Sequence, residues 1–211
     1  ALGTEVVTTS DLVRRRWLDN KFYGATFSFQ LERNRLVSIL GGGWNKYDGD
    51  HFGEITWAAV STTIPKDFQY YFNNGVKHDF NLYWKNTLQL NSQWCLFADL
   101  QYRKIDHMSS GSENNQYFFG FNRHYPFFNP KAGVTYQVNS SILAYGSLAV
   151  GHREPVRDDY VDQISSPPRA EELRDWELGL RIERTRLLFN INGYHMDYRN
   201  QLALTGAIND A

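Results

Sequence analysis

Residues 77–90 read Lys77-His-Asp-Phe-Asn-Leu-Tyr-Trp-Lys-Asn-Thr-Leu-Gln-Leu90. Phe80, Leu82, Trp84, Leu88 and Leu90 hold the even positions, with Asn86 as the exception. Lys77, Asp79, Asn81, Tyr83, Lys85, Thr87 and Gln89 hold the odd ones. A period of two sends one set to each face of a β-strand. The run is longer than an ordinary strand of about 5–6 residues. It is long enough to cross a bilayer, which takes about 9–11 tilted residues. The pattern predicts a wall with oil on one side and water on the other.

The same alternation recurs outward from this stretch. Tyr23, Ala25, Phe27, Phe29 and Leu31 oppose Gly24, Thr26, Ser28, Gln30 and Glu32. Leu36, Leu40 and Trp44 share a phase, and Gly41-Gly42-Gly43 between them signals a bend or the close approach of another element. Trp94, Leu96, Ala98, Leu100 and Tyr102 form the next apolar row, and Ala132, Val134, Tyr136 and Val138 another. Ile142–Gly151 is apolar or small on both phases, so its facing stays open. Trp176, Leu178, Leu180 and Ile182 oppose Asp175, Glu177, Gly179, Arg181 and Glu183. Leu187, Phe189 and Ile191 follow, with Tyr194, Met196 and Tyr198 on the other phase.

The breaks alternate in length. Short ones lie near 33–35, 91–93, 139–140 and 184–185, and long polar excursions near 47–76, 104–126 and 152–172. A meander with all its tight turns at one end has the asymmetry of outer-membrane barrels. Ile55–Val60 reads as a further strand, placed inside the first long excursion and above the bilayer. A strand of about 11 residues rises ~36 Å, or ~28 Å along the normal at ~40° tilt, which suits an apolar band ~25 Å tall. Tyr23, Trp84, Trp94, Tyr102 and Trp176 lie on the apolar phases, several near segment ends, where interfacial girdles form. The competing reading is a soluble β-sandwich or small-barrel binding protein, carbohydrate-binding or adhesin-like.

Composition narrows the classes. With 22 basic and 23 acidic residues, the chain lacks the basic excess of a nucleic-acid binder. One cysteine, Cys95, excludes an internal disulfide. A mean hydropathy of −0.53 and no long apolar run exclude a membrane-spanning helix but not a barrel, whose strands are half wet. The given sequence opens without the basic region and apolar core of a signal peptide, so none is expected within it. Lys85, Asp99, Arg103, Lys131, Asp175, Glu177, Arg181 and Glu183 on the polar phases are too many charges for a narrow eight-stranded bore. Residues 1–21 and 200–211 both fall at the long-loop end. The expected fold is therefore all-β: an antiparallel up-and-down transmembrane β-barrel, partial, with about eight to ten strands of a larger barrel. Such a slab has two unpaired edges and is expected to self-associate through them.

Several runs carry a resemblance to the TonB-dependent outer-membrane receptor family. They are Leu12-Val-Arg-Arg-Arg-Trp-Leu-Asp-Asn-Lys-Phe-Tyr-Gly24, Gly41-Gly-Gly-Trp-Asn-Lys-Tyr-Asp-Gly-Asp-His-Phe-Gly53, Phe97-Ala-Asp-Leu-Gln-Tyr102 and Phe128-Asn-Pro-Lys-Ala-Gly-Val-Thr-Tyr136. Arg153-Glu-Pro-Val-Arg157, Asp175-Trp-Glu-Leu-Gly179 and Met196-Asp-Tyr-Arg-Asn-Gln-Leu202 are similar to adjoining strand and loop elements. The resemblance covers nearly the whole chain, so residues 1–211 read as one partial barrel domain. It implies part of a 22-stranded barrel enclosing an N-terminal plug, while this sequence shows no TonB box, no plug and no closing strands. It further implies a bacterial outer-membrane receptor that imports a nutrient complex of siderophore-iron, haem or cobalamin type. The plug and TonB would act through the part of the chain not present, and outer-membrane lipid would surround the wall.

No catalytic motif is present: there is no G-x-S-x-G, H-E-x-x-H, P-loop or C-x-x-C, so no enzyme activity and no catalytic residue is expected. Asp48-Gly-Asp50 resembles the start of a calcium loop, but no Glu follows at the required spacing, which leaves a solvated turn. No metal site and no cofactor is expected. Among the histidines, His51, His107, His124 and His152 fall in or beside the outer excursions; His51, His107 and His124 are candidates for contact with an iron- or metal-bearing ligand, and solvated or structurally bonded imidazoles are the simpler reading. Tyr125 belongs to aromatic runs able to stack on a planar ligand. Arg153 and Arg157 could clamp an anionic ligand, though ordering a charged loop by internal ion pairs is the simpler role.

Overall fold

The computed structural model describes residues 9–60, 65–114, 117–162 and 166–201. The alternating run around Leu82 lies in a strand considerably longer than the part that alternates. The strands are β1 (Leu12–Arg33), β2 (Leu36–Ala58), β3 (Phe68–Gln89), β4 (Trp94–Ser112), β5 (Phe118–Asn139), β6 (Ile142–Arg153), β7 (Glu171–Arg184) and β8 (Leu187–Arg199). One short helix, α1 (Arg157–Asp162), lies between β6 and β7. Each strand pairs antiparallel with the next, giving one eight-stranded sheet in which β1 and β8 do not meet. This is the expected open, up-and-down piece of a barrel. A sandwich requires two stacked layers, and the described residues form a single sheet, so that alternative falls.

The tight turns sit where the polar breaks place them, each with a local cause. Asn34 adopts a positive φ of 52° and closes the β1–β2 turn. The Asn91 side chain accepts from the backbone N–H groups of Gln93 (2.8 Å) and Trp94 (2.9 Å). Asn139 does the same for Ser141 at 2.9 Å. These Asx contacts replace ladder bonds lost at the turn.

At the other end the sequence reading needs correction. The excursions at 47–76 and 104–126 are mostly strand: β2 runs on to Ala58, β3 starts at Phe68, β4 ends at Ser112 and β5 starts at Phe118. Ile55–Val60 is not a separate strand, since its first residues are the end of β2. Residues 12–21 belong to β1 rather than to a loop. Asp48-Gly-Asp50 is not a turn: it lies within β2, where Asn74 Nδ2 on β3 donates to Asp48 (3.1 Å) and Asp50 (2.7 Å). The physical reason is common to all four. Alternation is enforced only where one face meets hydrocarbon. Beyond it both faces are wet, and the ladder continues on backbone hydrogen bonds alone.

Burial in the sheet is inverted relative to a soluble protein. Leu82, Trp84, Leu100, Leu178 and Ile191 are exposed, whereas Asn73, Ser109 and Asn129 are buried. Register explains it. Phe80, Leu82 and Trp84 on β3 share a face with Leu100 and Tyr102 on β4, Phe128 and Val134 on β5, and Trp176 and Leu178 on β7. From Trp94 to Tyr102 the strand rises ~27 Å, or ~21 Å along the normal, which approximates the apolar band of a membrane barrel. An aromatic row marks its outer limit, with Tyr23 edge-on to Trp44 at 5.8 Å, followed by Phe80, Tyr102, Phe128 and Trp176. Two residues beyond stand Lys21, Lys46, Lys104 and Arg174 on the same phase.

The three glycines 41–43 do mark a close approach. A Cβ on Gly41 would lie 2.4 Å from the Tyr83 hydroxyl, and one on Gly42 2.4 Å from the Asn81 carbonyl oxygen. The pairing register runs unbroken through them, and the Tyr83 ring lies across the gap on the polar face.

Candidate functional site

The polar face is not bare. The segment after β6 turns back across the upper part of β3, β4 and β5, and three side chains spaced by three residues pin it. Glu154 is the first: its carboxylate accepts from Lys77 Nζ on β3 and lies 3.6 Å from Arg103 Nη1 on β4. Arg103 is also bound to Asp79 at 2.5 Å, so the ion pairs form a connected group. Arg157 is the second, donating to Asn73 Oδ1 at 2.8 Å and pairing with Glu113 at 3.1 Å. Tyr160 is the third. Its ring stacks on Phe121 at 4.2 Å, and its hydroxyl meets that of Tyr125.

The strap covers a dry region. Beneath and around it Ile105 is fully buried, Asn73 is 1% exposed, and Phe119, Phe127 and Tyr160 are buried. All of these β-strand positions are odd-numbered and therefore on the polar face. Ordering by internal ion pairs, the simpler role foreseen for the charged loop, is what Arg157 performs. Arg153 is exposed and is not one of the pins.

The sequence candidates separate by face. His107 and Tyr125 stand on the polar face beside the strap. His51 is on the same face of β2, with its Nε2 3.0 Å from the Tyr47 hydroxyl. His124 points to the other face, where its Nδ1 lies 2.5 Å from Asp106 Oδ1. That bond, with help from Lys104, holds the Asp106 carboxyl below the usual carboxylate range. Thus His51, His107, Tyr125 and Arg157 share one face, and His124 does not join them.

Electrostatics on this face favour neutral imidazoles. Burial, reinforced by Lys77, pushes His107 from about 6.5 down to about 4. Its Nδ1 is buried with no hydrogen-bond partner among the described residues, and its ring meets Phe121 edge-on at 5.0 Å. Burial, then Arg157, lowers His51 too. Burial, then the Tyr125 hydroxyl, raises Tyr160. For His107 the folded state binds its proton less readily than the unfolded chain. Its contribution to stability is therefore complete above about 6.5 and is lost as pH falls toward about 4. The acid-induced loss of stability across that window is expected to flatten in His107→Leu, as read by chemical unfolding at stepped pH.

Sequence reasoning missed Lys77, Phe121, Arg123 and Tyr160 as site residues. Phe121 and Arg123 lie in a run read as loop, and Tyr160 sits in an unpatterned charged segment. The spacing of Glu154, Arg157 and Tyr160 was the available signal, since three residues apart places side chains along one side of a turn of helix.

An open antiparallel sheet with an exposed apolar band, an aromatic girdle and a polar inner face with an inward strap defines a segment of a membrane β-barrel wall. The chain belongs to the TonB dependent receptor-like β-barrel family, whose model matches residues 3–211. Barrels of this family are outer-membrane proteins, and the solved relatives are transporters and receptors rather than enzymes. The fold is similar to the copper transporter OprC (TM-score 0.70, 11% identity, 88% of this chain and 30% of that one). It is also similar to the ferric citrate transporter FecA (TM-score 0.64, 13% identity, 91% and 29%). The alcaligin receptor FauA from Bordetella pertussis gives a TM-score of 0.55 at 18% identity, over 88% and 30%. The chain thus spans about 30% of the length of these solved receptors. No curated protein matches it.

Proposed function

We propose that this chain forms wall and outer entrance of a receptor in the bacterial outer membrane. The receptor binds a small nutrient complex of siderophore-iron, haem or cobalamin type and imports it with energy supplied by TonB. Residues 1–211 make up one partial barrel domain, while the plug and the TonB contact belong to other parts of the protein. The observation that carries the reading is the inverted burial, with exposed leucines and aromatics on one face and a polar, strapped face on the other. A wall of this kind separates lipid from a wet interior where cargo can move. His51, His107, Tyr125 and Arg157 border the interior at its outer end and are the candidates for cargo contact. No bond is made or broken in such import. Binding selects a conformation, and the energy source releases the cargo inward.

Deletion of the gene for the full receptor tests the proposal. Growth on defined ferric chelates, haem or cobalamin as sole source is expected to fail for one class and return on complementation. Unchanged growth and uptake of all three classes would remove the assignment.

A further inference from the structure

The strap leaves a cavity of about 250 Å³ against the upper part of β5, lined by Phe118, Phe119, Phe121, Arg123, Tyr160 and Pro167. Its walls are nearly all rings, and they are held in place. Phe121 lies between Phe119 (6.5 Å) and Tyr160 (4.2 Å), both at about 30° or less, and Phe119 and Tyr160 are buried. Among the described residues the only charge in the lining is Arg123, whose guanidinium sits 5.8 Å from the centre of the Tyr160 ring. The other polar-face cations of this region, Lys77, Arg103 and Arg157, are each committed to a carboxylate. Among the described residues Arg123 has no such partner.

We propose that this cavity binds a single anionic aromatic group, a ring bearing a carboxylate or comparable anion. The ring extends the Phe119–Phe121–Tyr160 stack, and Arg123 takes the charge. Three features point there together. The volume lies below the ~300–1,000 Å³ of sites for drug-sized ligands, so it suits one substituted ring rather than a whole chelate. Offset stacking on a fixed aromatic wall rewards a planar guest. A guanidinium without a carboxylate, beside apolar walls, is complementary to a planar anion and offers it bidentate donors. The inference deepens the receptor reading, because it names one chemical group of the cargo. It also stands apart in its test, since equilibrium binding of a small probe needs neither import nor an energy source.

The experiment titrates benzoate and its uncharged isostere benzamide into the full-length receptor in detergent micelles, followed by saturation-transfer NMR. Benzoate is expected to bind at least about tenfold more tightly than benzamide. Arg123→Gln is expected to erase that preference and Arg123→Lys to keep most of it. Phe118→Ala, an exposed position at the lining whose loss does not threaten the fold, is expected to weaken both probes. Equal affinity for the two probes, no binding of benzoate, or a preference that survives Arg123→Gln would each overturn the proposal. Partition of probes into micelles is common to all variants and cancels in the comparison. Unchanged uptake of all three nutrient classes in the deletion strain, with benzoate binding intact, would refute only the receptor reading.

Discussion

Replacing Leu178 by arginine is expected to destabilise the protein in lipid vesicles by about 1–3 kcal/mol, between the costs of a cation at the interface and at the midplane of a barrel's lipid face. Leu178 is 73% exposed and lies between the Trp176 girdle position and Ile182 at the turn end of β7. In a water-soluble protein a leucine so exposed could be exchanged for arginine within about 0.5 kcal/mol. The two environments therefore predict clearly different outcomes for one substitution. The neighbouring Glu177 faces the opposite side by the period of the strand, and Glu177→Arg is expected to stay within about 1 kcal/mol. Equilibrium unfolding from phosphatidylcholine vesicles, followed by tryptophan fluorescence, measures both. A neutral Leu178→Arg would mean that this face does not meet hydrocarbon.

Glu154→Ala is expected to free the strap from the wall. The Glu154 side chain is 10% exposed and is the carboxylate partner of Lys77; Arg103 retains Asp79 as well. Breaking a buried pair by deleting one partner costs about 3–5 kcal/mol. The lower end applies here because Lys77 and Arg103 are partly solvated and Arg103 keeps a partner. The loss is local. Amide exchange over residues 154–162 and cleavage after Arg157 by trypsin should accelerate, while the β3–β4 ladder exchanges as before. Glu154→Gln, which still accepts a hydrogen bond, is expected to fall between. An unchanged exchange rate in the segment would assign its placement to Tyr160 and Arg157 alone.

The part of the fold legible in the sequence is the part with hydrocarbon on one side. From Trp94 to Tyr102 each second residue is apolar, as is each from Phe80 to Leu88 except Asn86, and the strands, their facing and the tight turns follow. Above the girdle the constraint vanishes. Asp48, Asp50 and Asn74 satisfy one another on what is geometrically the same face, so a continuing strand there carries no period. That is why β1 to β5 were read too short. The site was legible in kinds of residue rather than in their arrangement. His107, Tyr125 and Arg157 were identifiable as unusual outer-end residues. Their convergence depends on a reversal after Arg153 that brings Glu154 to Lys77, 77 positions away. Single-sequence patterns do not encode that pairing. His124 shows the same limit from the other side, because its parity within β5 was hidden by the missing alternation.

β5 pairs with β6 only from Lys131 to Asn139, so its upper half is laddered to β4 but meets β6 through side chains alone, His152 stacking on Phe127 at 5.2 Å. Pro130, directly after the last shared pair, and Pro126 fall in this half. A proline offers no amide hydrogen, and strands that must stand uncovered commonly carry it. The upper half of β5 thus keeps an unladdered backbone flank that its prolines make a poor template for a further strand.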